Sequence, residues 1–263
     1  MIVDRPAGAL PGCFEFAAPG GWRRIDFISD LHLCEAMPRT FEAWRRHLLD
    51  TPADAVFVLG DLFELWVGDD ARHAGFAARC VDVLVEAARR RTLAIMVGNR
   101  DFLIGAQLLR ECAAVGLPDP SVLAAWGQRI VLTHGDLLCL DDHDYQAFRA
   151  QVRSPGWQRD FLARPLAARL ELARAMRQAS AERQRFDGDL TLDIDRGAAL
   201  RWLHDQGAAA LVHGHTHRAG SDELAPGLWR HVLGDWDLDG AAPRAEVLRL
   251  TRAGFERVPP VSV

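Results

Sequence analysis

Five short apolar runs end in the same way, and that repetition narrows the possible folds more than any other feature of the chain. "RIDFISD" (24–30), "DAVFVLGD" (54–61), "LAIMVGNRD" (93–101), "RIVLTHGD" (129–136) and "AALVHGHTH" (209–217) each stop at residues able to ligate a metal. Apolar runs of this length bounded by polar turns read as strands buried on both faces. Between them lie segments with helical spacing: "FEAWRRHLL" (41–49), "GFAARCVDVLVEAARR" (75–90) and "GAQLLRECAAVG" (105–116), the last closed by Gly116 and Pro118. Such alternation implies an α/β chain whose mixed or parallel sheet is covered by helices. "WRHVLGDWD" (229–237) and "AEVLRLTRAGFERV" (245–258) have strand character with no helix between, so the C-terminus is expected to add antiparallel strands to a second sheet. The predicted fold is a two-sheet α/β (α+β) sandwich flanked by helices.

Residues 137–190 break the alternation, and from Tyr145 to Arg185 they read as two or three helices interrupted by "SPGW" (154–157) and Pro165. The domain reading is therefore an N-terminal extension over 1–20, a main domain over 21–263 and a helical cap inserted at about 140–190. "CFEF" within the extension could be an added strand or part of a flexible arm. The five cysteines, 13, 34, 80, 112 and 139, are scattered and never form C-x-x-C, which fits neither a disulfide framework nor a zinc ribbon and suits a reducing cytoplasm. Residues 1–20 resemble neither a signal peptide nor a membrane span. A net charge of −5 gives no global reason to expect nucleic acid. Every positive residue is arginine, a bias of composition before it is one of function.

In open α/β sheets ligands bind beyond the carboxyl ends of the strands, where this chain places Asp30, His32, Asp61, Asn99, His134, His215 and His217. Imidazoles, carboxylates and one amide oxygen suit Mn²⁺, Fe²⁺ or Zn²⁺, and the absence of thiolates argues against a structural zinc site. Seven ligands exceed one ion's needs; two ions sharing a carboxylate leave room for a water and substrate oxygens, the arrangement used for displacement at phosphorus. Each element alone is commonly a turn, but five in order, each closing an apolar run, are not. Walker-type, G-x-S-x-G and G-x-G-x-x-G motifs do not occur.

"DLH" (30–32), "GD" (60–61), "GNRD" (98–101), "HGD" (134–136) and "GHTH" (214–217) resemble the motif series of the calcineurin-like metallophosphoesterases. Longer stretches, "GDLFELWVGDD", "GNRDFLIG", "HGDLLCLDDHDYQAFR" and "HGHTHRA", closely resemble the UDP-2,3-diacylglucosamine pyrophosphohydrolases of lipid A biosynthesis, and the similarity spans roughly 25–240. The resemblance implies two divalent ions, Mn²⁺ being expected, one on Asp30, His32, Asp61 and His217 and one on Asp61, Asn99, His134 and His215. His213 is set aside as a strand-end or supporting residue. The implied reaction is attack by water on the UMP-side phosphorus, giving UMP and 2,3-diacylglucosamine 1-phosphate (lipid X). Asp61, Arg100 and His215 are the implied catalytic residues, and Asn99, Arg100, Asp142, Ser180 and His215 the implied substrate contacts.

Arg100 stands where many relatives in the superfamily have histidine. An arginine cannot serve as a practical general acid but suits electrostatic clamping of a phosphate leaving group, whose departure needs little protonation. In the cap, Gln184 and Asp187 depart from the asparagine and lysine that often follow the serine. Residues 153–185 hold eight arginines against Asp160, Glu171 and Glu182, +5 in a chain of −5. With Leu162, Leu166, Leu170, Leu172 and Met176 they make a basic cap expected to rest on the cytoplasmic face of the inner membrane and admit acyl chains. The bland alternative is a solvated hairpin whose leucines pack on the core. Packing is likewise the default for Trp66, Cys34 and Cys139. Two competing functions remain at this point: another phosphodiesterase or nucleotide-sugar pyrophosphatase on the same site, and a metal-free scaffold.

Overall fold

The computed structural model describes residues 13–186 and 193–261, with side chains except over 179–186. In chain order its strands are β1 (Phe14–Ala17), β2 (Arg24–Ile28), β3 (Ala55–Leu59), β4 (Thr92–Met96), β5 (Val115–Leu117) and β6 (Ser121–Ala125). They continue with β7 (Gln128–Leu132), β8 (Ala210–His213), β9 (Gly220–Ala225), β10 (Leu228–Val232), β11 (Val247–Thr251) and β12 (Gly254–Val258). The α-helices are α1 (Pro38–Asp50), α2 (Gly75–Ala88), α3 (Ala106–Glu111), α4 (His143–Val152), α5 (Pro155–Leu162), α6 (Leu166–Phe186) and α7 (Arg196–Gln206). The strands form two six-stranded mixed sheets, ordered β12-β11-β2-β3-β4-β5 and β1-β6-β7-β8-β10-β9.

Pleating explains why the strand sequences are apolar throughout. Alternate residues point to opposite faces, so Ile25, Phe27, Phe57 and Leu59 turn inward against Leu123, Ile130, Leu132 and Val212 of the other sheet. Ile28, Val56 and Val58 turn outward beneath Trp44 and Leu48 of α1 and Cys80 and Leu84 of α2. On the second sheet Val131 and Leu211 are covered by Ala199, Trp202 and Leu203 of α7. Each such large side chain contributes about 1.5–3 kcal/mol by leaving water. Asp26 shares the outward face and is fully buried, which its partners Arg249, His47 and Thr51 make tolerable.

The sandwich expected from the sequence is the observed architecture, with two corrections. The segment 105–116 is not one helix: α3 ends at Glu111, the chain turns through Ala113 at φ 48°, and β5 joins β4 in parallel. Gly116 therefore sits inside a strand, where a Cβ would meet Leu109 Cδ1 at 2.7 Å. The C-terminal strands do not all go to one sheet. β10 lies parallel to β8, while β11 and β12 form a hairpin on the antiparallel side of β2. β1, around "CFEF", pairs in parallel with β6.

Residues 143–186 form α4, α5 and α6. Trp157 stacks on Phe161 with ring centroids 4.7 Å apart and leans on Phe102, just beyond the "GNRD" turn. Leu166, Leu170 and Leu172 pack on the core, whereas Leu162 is exposed. Three of the eight arginines of residues 153–185 turn inward: Arg153 donates to Gly98 O, the buried Arg169 pairs with Asp70 and Val67 O, and Arg177 pairs with Glu64. No helix among the described residues is long and apolar enough to cross a membrane.

Candidate metal centre

Parallel pairing of β2, β3 and β4 in one sheet, and of β7 and β8 in the other, brings five strand ends to one edge of the sandwich. Each strand ends in a sharp turn. Asp30, His32, Asp61, His215 and His217 all have positive φ, between 48° and 66°. Asp and His enter this region more readily than most residues, yet each such position costs of order 1 kcal/mol. Five of the seven residues singled out in the sequence carry this strain, a concentration typical of functional sites. β8 stops at His213, and beyond the turn at Gly214 His215 faces Asn99 whereas His217 faces Asp30.

Cross-strand hydrogen bonds fix the turns. Asp30 N donates to Gly60 O at 3.1 Å, His32 N to Asp61 O at 3.0 Å, and Gly214 N to His134 O at 2.9 Å. The buried Asp101 carboxylate accepts from the backbone N–H groups of Gly98 (2.7 Å), Leu62 (2.8 Å) and Phe63 (3.3 Å), tying the "GNRD" turn to the "GD" turn. Burial and the Asp61 charge push its carboxyl up to about 6. Asp136, from "HGD", is clamped by Arg149 at 2.8 Å and Tyr145 Oη at 2.6 Å, and the Tyr145 ring lies 5.9 Å from that of His215. These supporting roles were invisible in the motifs, although the third position of "HGD" and the last of "GNRD" were the available signals.

All seven candidate ligands converge. His32 Nε2 is 3.4 Å from His217 Nε2, which is 3.3 Å from Asp30 Oδ1. Asp61 lies between two groups, Oδ2 at 4.0 Å from His32 Nε2 and Oδ1 at 3.8 Å from His134 Nε2. Asn99 Oδ1 is 2.8 Å from His134 Nε2 and 3.1 Å from His215 Nδ1. Asp30, His32 and His217 present ligand atoms all within 4.8 Å of one another, as do Asp30, Asp61 and His134. His213 is fully buried, its Nδ1 against Gly214 O at 2.8 Å, apart from both groups. Burial holds its imidazole down to about 4.

The electrostatics fit a cation. Asp30 Oδ1 is buried with no hydrogen-bond partner, and Asp30 is held well below the usual carboxylate range: burial opposes this, but His217, His134 and His32 outweigh it. His134 Nδ1 faces Leu59 O at 2.9 Å, so Nδ1 carries the proton and Nε2 points at the amide oxygen of Asn99. Burial would lower the His134 imidazolium, yet Asp61, Asp30 and Asp136 push it up to about 9: this pocket favours positive charge. Burial and His134 bring His215 down to about 4, leaving a neutral ring with a lone pair to donate. Hard carboxylate and amide oxygens with imidazole nitrogens are the donor set of Mn²⁺, Fe²⁺ or Zn²⁺.

Calcineurin-like phosphoesterases match this chain over residues 23–219. The chain belongs to that family. Among the relatives of this phosphoesterase, a UDP-2,3-diacylglucosamine hydrolase of Ralstonia nicotianae is 42% identical over 238 residues, covering 86% of this chain and 88% of the relative. A protein of the same name from Stenotrophomonas maltophilia is 38% identical over 232 residues, covering 84% and 94%. One from Chromobacterium violaceum is 41% identical over 221 residues, covering 81% and 90%. The family uses divalent metals, and this chain presents groups able to hold them.

The remaining predicted site residues are placed as follows. Arg100 N donates to Asp61 Oδ1 at 2.8 Å, and its side-chain Nε is buried without a hydrogen-bond partner. Asp142 is half-buried and caps α4, accepting from Tyr145 N at 3.0 Å. Ser180 and Gln184 lie in α6 among the side chains not described, and Asp187 lies outside the described residues. Beside His32 opens a groove of about 490 Å³ lined by Leu33, Cys34, Phe63, Trp66, Phe76 and Arg177 among others. Trp66 and Cys34 thus line a cavity; Cys139 is simply buried.

The turn geometry yields a prediction. A Cβ on Gly98 would overlap the Asp61 carboxylate and backbone nitrogen. Gly98→Ala is expected to displace Asp61 or the Arg100 N–H that holds it. Misplacement on the ångström scale costs on the order of 100-fold in rate. Turnover of a phosphodiester substrate by this variant, with its thermal unfolding compared with wild type, checks the expectation.

Proposed function

We propose that this phosphoesterase hydrolyses the pyrophosphate bond of UDP-2,3-diacylglucosamine to UMP and 2,3-diacylglucosamine 1-phosphate, in lipid A biosynthesis. The observation that carries the reading is a metal-ligand cluster adjoining an apolar groove, bridged by Glu64 and Arg177. A polar reacting centre beside a partly apolar channel suits a substrate with a nucleotide diphosphate at one end and acyl chains at the other. The names of the relatives agree.

Asp30, His32, Asp61 and His217 would hold one ion and Asp61, Asn99, His134 and His215 the other, with Mn²⁺ as the metal. Bound there, two divalent ions supply a water acidified toward neutral pH and neutralise charge on the attacked phosphoryl group. Asp61 is the carboxylate placed to serve both ligand groups. Arg100, whose backbone N–H holds Asp61 and whose Nε is buried and unpartnered, is assigned to bind the departing phosphate. Arg177 Nη1 is also buried without a partner, so a second guanidinium faces the same region. Asn99 and His215 are assigned to phosphate oxygens, and Asp142 and Ser180 to the sugar. The groove takes an acyl chain, its wall formed by Phe63, Trp66 and Phe76.

Leu162 and the exposed Arg159, Arg164 and Arg174 form the face offered to an anionic membrane surface. It is smaller than the arginine count of the cap suggests, because Arg153, Arg169 and Arg177 are engaged with the main domain.

Purified protein is expected to release UMP from UDP-2,3-diacylglucosamine micelles when Mn²⁺ is present and not when it is chelated. Equal turnover of soluble UDP-sugars would assign the site to a general nucleotide-sugar pyrophosphatase instead. No UMP above the chelated control would end the proposal.

A further inference from the structure

The two histidines beside Asp30 differ from the other two in what stands behind them. His32 turns Nε2 inward and brings Nδ1 to 3.2 Å from Glu64 Oε2, an ion-pair contact outside hydrogen-bond geometry. His217 likewise turns Nε2 toward Asp30 and Nδ1 toward Asp235 Oδ2, 3.8 Å away. Each carboxylate is in turn held by an arginine. Asp235 receives both Nε (2.8 Å) and Nη2 of Arg244, while Glu64 pairs with Arg177 of α6. Behind His134 stands a neutral carbonyl, Leu59 O, while His215 Nδ1 faces the Asn99 amide and, among the described residues, no carboxylate forms an ion pair with His215.

We infer that Glu64 and Asp235 are positioning residues that hold His32 and His217 with the proton on Nδ1 and the Nε2 lone pair facing Asp30. This rests on the two-ion reading above. A carboxylate behind an imidazole fixes its tautomer and orientation and makes it a more basic ligand, and loss of such a partner typically costs 10–100-fold in metal affinity. The Asp30 side of the centre is therefore the tighter site. Because Arg177 belongs to α6, docking of the cap on Glu64 and ordering of this site support each other. Arg244 supports the opposite histidine from the loop preceding β11.

Neither carboxylate is needed as a ligand in this reading, which separates it from a simple enlargement of the metal site. Free Mn²⁺, followed by its electron paramagnetic resonance during titration of metal-stripped full-length protein, measures both affinities directly. Wild type is expected to bind two ions. Glu64→Ala and Asp235→Ala should each still bind two, with the tighter ion weakened 10–100-fold and the weaker one changed less than threefold. The isosteric variants Glu64→Gln and Asp235→Asn, which keep an acceptor oxygen but lose its charge, should fall between wild type and alanine. They also decide the matter if an alanine variant fails to fold. Wild-type affinities in folded variants would overturn the proposal, as would loss of one whole ion, which would make the carboxylate a ligand. Wild-type protein that binds no Mn²⁺ would overturn the two-ion reading itself.

Discussion

Asp61→Ala is expected to lower UMP release by at least about 10³-fold, a loss of about 4 kcal/mol or more of transition-state stabilisation. The two oxygens of Asp61 face different imidazoles, His32 on one side and His134 on the other. Its Oδ1 also accepts from Arg100 N, so the same side chain anchors the proposed phosphate clamp. Alanine removes the anion between the two groups and releases the Arg100 N–H together. Because Asp61 sits at φ 52°, alanine also adds backbone strain of order 1 kcal/mol. Asp61→Asn separates the two effects: it tolerates the same backbone, keeps an acceptor for Arg100 N and loses the charge. It should still lose at least about 100-fold in UMP release at saturating Mn²⁺ while unfolding within a few degrees of wild type. An asparagine enzyme within tenfold of wild type would remove Asp61 from its bridging role.

What the sequence made legible is what depends on local chemistry. The apolar runs and their polar ends identified β2, β3, β4, β7 and β8 and the seven residues that gather at their carboxyl ends. That the ends converge follows from parallel pairing, which the β-α alternation already implied. β5 was hidden because three residues after a short helix carry no periodic signal, and Gly116 reads as a stop where packing against Leu109 requires it. Glu64 and Asp235 were hidden for a different reason. Each sits in a motif-like turn, "DLFEL" and "GDWD", but its use is set by His32, His217, Arg177 and Arg244, which only folding brings near. The charge of residues 153–185 is a like case: of eight arginines in the sequence, folding turns Arg153, Arg169 and Arg177 inward to Gly98 O, Asp70 and Glu64. The pattern of strands and turns reports candidate ligands; supporting ion pairs are tertiary and leave no spacing to read.

The largest stability effect is expected away from the metal centre, at Asp26. This carboxylate has no exposure to solvent and receives Nε (2.7 Å) and Nη2 (2.9 Å) of Arg249, Thr51 Oγ1 (2.6 Å) and a contact from His47 at 3.3 Å. Burial alone would raise its proton affinity; Arg249, His47 and Thr51 outweigh it and hold the group down to about 2. Arg249→Met keeps the aliphatic reach across β11 and β2 but strands a buried charge, which costs about 3–5 kcal/mol. For a domain of this size that is a fall in Tm of roughly 10 °C, measurable by calorimetry at pH 7. The pH dependence has a definite sign. A carboxyl lowered by folding stabilises the protein fully above its unfolded value of about 3.9, and that contribution disappears as pH falls toward about 2. The difference between wild type and Arg249→Met should accordingly narrow as pH falls toward roughly 2, where protonated Asp26 no longer needs the guanidinium. Asp26→Leu combined with Arg249→Met removes both charges and should recover part of the loss at pH 7. An Arg249→Met protein that melts within about 2 °C of wild type at pH 7 would show that His47 and Thr51 suffice to hold the charge.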